Sequence, residues 1–580
     1  MAIPARICGS IGSTTQLDLS PSTSIRRLWR HWARYHAAGR RFSTAVYLVV
    51  FRALEKEVIG MRMPLVWMCC FLPVVAAYSQ LLAASERPVV AGITTTRLVP
   101  GQPYELAGNR IVFANWYYVQ PGDLDWRNVE GKSVYVRGDE GLFDATHVGI
   151  HAPRGIRIQA EKPHVVGPID RPHRMILKDG AVFKGWTDSD YFESKDGLQW
   201  EQKARLKLDP IVKDGFYQVF IDPSAKQEER YKALWVGQIQ RDQFDAFRAK
   251  RPGAWEPRAI FLLGEKDDIT TIRGGVSADG IDWHTLPDPL VAEYCDTWNT
   301  GYYDRVLSEY VIYTRYWSVG PRSDRVPPDI RGSWTGVGRR AIGRTASRDF
   351  RTFTPSEMIL EPTPEMLPSE QLYTNCHTTV PGAPDQHLMF PTIWNGSVDD
   401  TTRVAFASSH DGKVWHWVPG GDLLQTGSFG RWDGGCIWAT PDLIELPNGD
   451  WALPYLGHNL PHKYPRGKLV GTTAYAVWPK GRLVALEASH EGEFTMIPII
   501  APGKVLKINA VTLRTGWVKV EVLGTKGRSI AESIPIVGDQ HWTQVKWKDT
   551  SDLGVEVGQP ITIRLQLKHA KIYGLQFDPN

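Results

Sequence analysis

The chain has 580 residues, a length that suits two or three domains. Its globular composition is rich in 23 Trp, 21 Tyr, 53 Gly and 40 Pro, which suits an all-β protein that meets flat, polar ligands such as sugars. The formal charge of +4 is a property of the N-terminal stretch: residues 1–62 hold 10 Lys+Arg against 3 Asp+Glu, so the remainder carries about −3 and implies no nucleic-acid partner.

Residues 1–60 carry an arginine-rich run and no β pattern, and they read as an extension upstream of the true start. Met61-Arg62-Met63-Pro64 then opens the apolar run LVWMCCFLPVVAA, followed by Ala83-Ala84-Ser85. A basic start, about 13 apolar residues and a small-residue exit predict a secretory signal peptide over 61–85, with translation beginning at Met61 or Met63. The run is too short and too Pro-interrupted for a stable membrane span, so the protein is expected to be secreted or periplasmic. Residues 97–160 follow as a small N-terminal β module, with strands expected at 110–113 and 133–136.

The pattern Ser-x-Asp-Gly-x-x-Trp then recurs as SKDGLQW at 194–200, SADGIDW at 277–283 and SHDGKVW at 409–415, with the degenerate copy SRDFRTF at 347–353. Spacings of 83, 70 and 62 residues are too long for a solenoid and suit four-stranded propeller blades with loop insertions. Asp-Gly supplies a tight turn, Ser and Asp satisfy loop amides, and the terminal aromatic packs against the neighbouring blade. Four turns and a closing segment, 432–478, predict a five-bladed β-propeller over 161–478. Beyond Pro479, period-two alternation at 483–486, 504–509, 517–522, 543–547, 561–567 and 570–577 predicts a C-terminal β-sandwich over 479–580. Cys295, Cys376 and Cys436 have no metal-type spacing and read as small buried residues.

The first strand of each blade lines a propeller's channel. Counting forward from the repeat aromatics places a carboxylate ahead of each such strand: Asp214, Asp296, Glu370 and Asp433, with Asp170 in the blade before the first repeat. Such a ring suits glycoside cleavage, in which one carboxylic acid protonates the leaving oxygen and a second carboxylate activates water or attacks the anomeric carbon. Asp296 and Asp433 are the strongest candidates, because Trp298, Asn299, Trp432 and Trp438 lie beside them in sequence and suit sugar contact. Taken singly, Asp214 and Glu370 read better as strand-capping turn residues. His377, His458 and His462 are expected to hydrogen-bond a substrate or an acid, since Pro461 argues against a helical metal site. Arg340 and Arg344 read as salt-bridged structural residues.

These turns, the strand RRAIGRTAS at 339–347 running into Arg348-Asp349, and a propeller followed by a sandwich resemble the five-bladed glycoside hydrolases of families 32 and 43 over roughly 161–580. The chain is also similar to uncharacterised secreted bacterial propeller proteins. The resemblance implies three catalytic acids on successive inner strands. The family 32 signatures Trp-x-Asn-Asp-Pro, Arg-Asp-Pro and Glu-Cys are missing, so individual catalytic residues do not carry over. The expectation is a monomeric glycosidase acting on an oligo- or polysaccharide, with no cofactor and no readable motif for a structural calcium. The alternatives are a non-catalytic carbohydrate-binding propeller and a sialidase-like hydrolase. The latter would need three funnel arginines, a tyrosine nucleophile and a sixth blade.

Overall fold

The computed structural model describes residues 102–133, 146–169, 175–212, 215–216, 218–256, 259, 269–318, 339–464 and 468–579. The expected extension, the signal peptide and two of the candidate acids, Asp170 and Asp214, lie outside the described residues. The regular structure described is almost all strand. The helix Arg241–Lys250, an insertion in the second sheet, buries Phe244 and Phe247.

Between 175 and 478 the chain runs up and down through antiparallel sheets. The first sheet is Met175–Asp179, Val182–Trp186, Asp190–Ser194 and Glu201–Arg205. The second is Gln218–Ile221, Tyr231–Ile239, Ile269–Ser277 and His284–Thr285, and the third is Thr300–Asp304, Glu309–Trp317, Arg340–Ser347 and Glu357–Leu360. The fourth consists of two four-stranded sheets in series, one opened by Glu370–Thr374 and the other by His377–Val380. These two strands follow one another along the chain and are counted together as its first. The fifth is Cys436–Ala439, Trp451–His458 and Gly471–Trp478, and its outer strand comes from far upstream, His164–Ile169.

The recurring heptapeptide folds the same way at each copy. Ser194, Ser277, Ser347 and Ser409 each donate from the hydroxyl to the Asp two residues on, at 2.8–3.1 Å. That carboxylate in turn accepts two backbone N–H groups, as Asp196 does from Leu198 and Gln199, both at 2.8 Å. Gly197, Gly280 and Gly412 hold φ of +77°, +83° and +68°, the left-handed region glycine enters without strain. The degenerate copy puts Phe350 there at φ +51° and completes the same turn.

Each turn also reaches the sheet before it. Tyr475 of the fifth sheet donates to the Gly197 carbonyl at 2.6 Å, Trp186 of the first to Gly280 at 2.8 Å, and Tyr313 of the third to Gly412 at 2.8 Å. In the degenerate copy the Phe350 ring meets Phe220 of the second sheet edge-on, 5.7 Å between centroids. The terminal aromatics Trp200, Trp283, Phe353 and Trp415 lie in the apolar layers between the same pairs of sheets. The fourth and fifth sheets meet where Thr402 Oγ1 donates to the Ile437 carbonyl at 2.7 Å.

First strands of all these sheets, or the loop just past them, converge on one cavity of about 540 Å³, lined by Leu177, Gln218, Tyr302, Thr379 and Asp442 among others. The cavity lies towards the C-terminal ends of these strands; Asp296 precedes the start of Thr300–Asp304.

Beyond Pro479 a six-stranded sheet runs Asp539–Gln544, Val505–Val522, Ile563–Asp578, Val484–Thr495 and Arg157–Ala160, with Arg110–Ile111 also on Ile563–Asp578. Two pairs of segments that alternation divides are single long strands here, Val505–Val522 and Ile563–Asp578, because register shifts absorb the polar interruptions. The upstream segment contributes strands to this sheet, Arg110 opposite Gln576 and Ile158 opposite Leu486. No described helix is long and apolar enough to cross a membrane.

Candidate functional site

Asp296 stands at the mouth formed by the starts of the first strands, its side chain 36% exposed. Its carboxylate pairs with Arg315, whose side chain is fully buried. Arg315 also donates to the Tyr373 carbonyl at 3.0 Å and lays its guanidinium over the Tyr373 ring, 4.2 Å from the centroid. Burial works against that charge, but Asp296 and Tyr373 together hold the Arg315 guanidinium above its ordinary value. A permanently charged, immobile partner thus fixes the direction of this exposed carboxylate.

The loop carrying Asp296 is pinned from behind. Asn299 is buried, donates to the Thr297 carbonyl at 2.9 Å and accepts the Arg315 N–H at 3.2 Å. Both ends of its amide bond the wall that carries Asp296. Asn375 repeats the device from the fourth sheet, donating to the Tyr313 carbonyl at 3.0 Å.

Aromatic rings surround this mouth. Tyr373 meets Trp438 at 5.0 Å, and Trp298 packs on the same cluster with Cys436 and Leu456. His462 lies 4.8 Å from Trp438, edge-on, and its Nε2 is 2.9 Å from the Tyr373 hydroxyl. The loop bearing His462 crosses Gly435 so closely that a Cβ there would lie 1.9 Å from the Leu460 carbonyl carbon. Arg340, buried, stacks among Trp317, Tyr373 and Trp394 and donates to Gln371 at 2.5 Å. Burial, with Arg315 nearby, lowers its pKa to about 10. Arg344 pairs with Glu309 at 2.7 Å, the structural role its position in the sequence implied.

The other expected residues divide. Asp433 is buried and bonds Arg431 at 3.1 Å, in a turn whose closeness requires Gly457: a Cβ there would sit 2.5 Å from the Trp432 ring and 2.8 Å from the Asp433 Cβ. Trp432 faces Tyr455, 5.8 Å between ring centroids. Glu370 spends both carboxylate oxygens on its own sheet, one on Arg403 and one on the Leu367 N–H at 2.8 Å, as a strand-capping residue does. His377 sits deeper, between Tyr302 and Tyr313, with its Nε2 3.2 Å from His387 Nδ1; burial, then His387, push its pKa well down. His458 ends its strand with its ring against Gly471, and burial lowers its pKa.

Sequence reasoning passed over Arg315, Tyr373 and Trp394, because the contacts that matter join different sheets. Two arginines do face Tyr373, as a sialidase site would suggest, but they lie on the ring and the backbone, and the hydroxyl meets His462, not a carboxylate. Cys295, Cys376 and Cys436 are buried and free. Among the described residues, no group of three or more His, Cys, Asp or Glu is arranged to hold a metal ion.

No family model and no curated protein matches the chain. Solved structures do, distantly. A GH32 beta-fructofuranosidase from Bombyx mori is 9% identical at a TM-score of 0.33, covering 72% of this chain and 94% of its own. A xylan beta-1,4-xylosidase from Bacillus halodurans is 10% identical at 0.31, covering 72% and 99%. An N-acetylgalactosamine deacetylase from F. plautii is 13% identical at 0.32, covering 63% and 95%. Likeness at this distance assigns no role to any residue here.

Proposed function

We propose that the chain is a secreted or periplasmic glycoside hydrolase, monomeric, acting on an oligo- or polysaccharide. Residues 161–478 form a five-bladed propeller and 479–580 a β-sandwich, with 97–160 as a leading module that lends strands to it. The observation that carries the reading is the exposed Asp296 carboxylate, held by buried Arg315 within a wall of Trp298, Tyr373, Trp438 and His462.

Aromatic faces stack on the apolar face of a sugar ring, and a fixed carboxylate beneath the anomeric carbon either deprotonates water or attacks directly. Asp296 takes that part. The proton for the leaving oxygen comes from a second acid of the ring, Asp433, Asp170 or Asp214, while Glu370 is engaged in capping its strand.

Release of reducing ends from a panel of polysaccharides and aryl glycosides tests this, with Asp296→Asn and Asp433→Asn in parallel. Loss of a catalytic carboxyl lowers turnover by about 100-fold or more. Binding without turnover in the unsubstituted protein would establish the carbohydrate-binding alternative. Turnover that survives Asp296→Asn unchanged would remove Asp296 from the chemistry.

A further inference from the structure

The cavity towards the far end of the first strands is not part of the mouth at Asp296. Its lining takes Gly301, Tyr302, Tyr303 and Arg305 from the third sheet and includes none of Asp296, Trp298, Arg315, Tyr373, Trp438 or His462. Its volume of about 540 Å³ lies in the range of small-molecule sites. Two of its lining groups are acceptors with nothing to accept. Gln218, 2% exposed, uses its amide nitrogen on the Val219 carbonyl at 3.2 Å, while its Oε1 has no partner. Asp442, in the loop after Cys436–Ala439, makes no hydrogen bond or ion pair with any described residue. A buried acceptor without a donor, as Gln218 Oε1 is, is costly unless something supplies an N–H or O–H group, and the half-buried Asp442 carboxyl is open to the same cavity.

Charge and shape narrow the class. The lining holds two carboxyl groups, Asp442 and Glu445, and two cations, Lys178 and Arg305. A ligand with net charge gains little there. Tyr302, Tyr303 and Phe220 add ring surface, and Thr378 and Thr379 add hydroxyls. Acceptors in want of donors, balanced charge and aromatic walls together describe a polyhydroxylated neutral molecule.

We propose that this cavity is a second carbohydrate site, taking a neutral mono- or disaccharide whose hydroxyls donate to Asp442 and Gln218. It stands whether or not Asp296 is catalytic. The test is saturation-transfer NMR and calorimetry on the full chain with glucose, galactose, xylose, arabinose, fructose and sucrose. Asp442→Leu, Gln218→Leu and Asp296→Asn are compared, each checked for an unchanged circular dichroism spectrum. At least one sugar is expected to bind saturably, about tenfold or more weaker in both cavity variants, and to persist at the cavity in Asp296→Asn whatever that variant does to binding at the mouth. Should a cavity variant misfold, a crystal of the unsubstituted protein with that sugar must show it against Asp442. Absence of binding by every sugar overturns the proposal, as does binding that is unchanged in both cavity variants or vanishes altogether with Asp296→Asn.

Discussion

Asp442 is the group whose replacement is most revealing. Burial raises its pKa from 3.8 to about 7, so the folded protein prefers this carboxyl protonated. The unfolded chain releases the proton near 3.8 and the folded chain near 7. Below 3.8 both states hold it and it has no effect; between the two values the unfolded state is favoured progressively, and above about 7 the penalty is complete. At about 1.4 kcal/mol for each pH unit, the full penalty is at most about 4 kcal/mol, reduced by whatever water solvates the carboxylate in the cavity. Asp442→Asn removes the titration and keeps the shape. Urea unfolding at pH 5 and pH 8.5 should show the Asn variant ahead of the unsubstituted chain by up to about 4 kcal/mol at the higher pH. At the lower, which already lies above 3.8, its lead is about 1.5 kcal/mol, so that the lead grows by about 2–3 kcal/mol between the two. If the difference between the two proteins is the same at both pH values, Asp442 does not titrate in the folded state as its surroundings imply, and the reasoning fails.

Other substitutions probe the frame around the site. Lys232 and Asp222 form an ion pair with side chains 1% and 0% exposed, and Lys232→Met strands the carboxylate, which keeps its bonds from Tyr310 and Ser224; chemical unfolding should show a loss of about 3 kcal/mol. Tyr475→Phe removes the donor to the Gly197 carbonyl between the fifth and first sheets and should cost about 1–2 kcal/mol by the same measurement. Gly457→Ala pushes a methyl against Trp432 and Asp433, costing about 1–3 kcal/mol and, on the proposed function, lowering the initial rate of reducing-end release.

What was legible in the sequence was local. The turn repeat could be read because its hydrogen bonds close within the same heptapeptide, so Ser, Asp and the aromatic must recur at fixed offsets. Counting from it finds strands that begin at 300, 370 and 436 and a loop that exposes Asp296. Contacts between sheets were not legible. Arg315 and Tyr373 are 58 residues apart, and neither position carries a local sign of the other. Glu370 has the right residue type and place, but Arg403, from another strand of its sheet, claims its carboxylate. Asp442 in a Pro-Asp-Leu stretch reads as an ordinary turn, and only convergence of several sheets turns its surroundings into a cavity wall.

The outer strand of the fifth sheet has a consequence for how the protein is made. His164–Ile169 pairs with Gly471–Trp478, so its partner leaves the ribosome about 300 residues later. At roughly 5–20 residues per second, the early strand waits about 15 s to 1 min before anything can pair with it. An unpaired strand exposed for that time recruits other nascent chains. Its sequence, His-Val-Val-Gly-Pro-Ile, carries a proline that withholds one N–H from any would-be partner and a glycine that weakens extended pairing. The seam that completes the folded protein is therefore also its most exposed moment during translation, and Pro168 guards it.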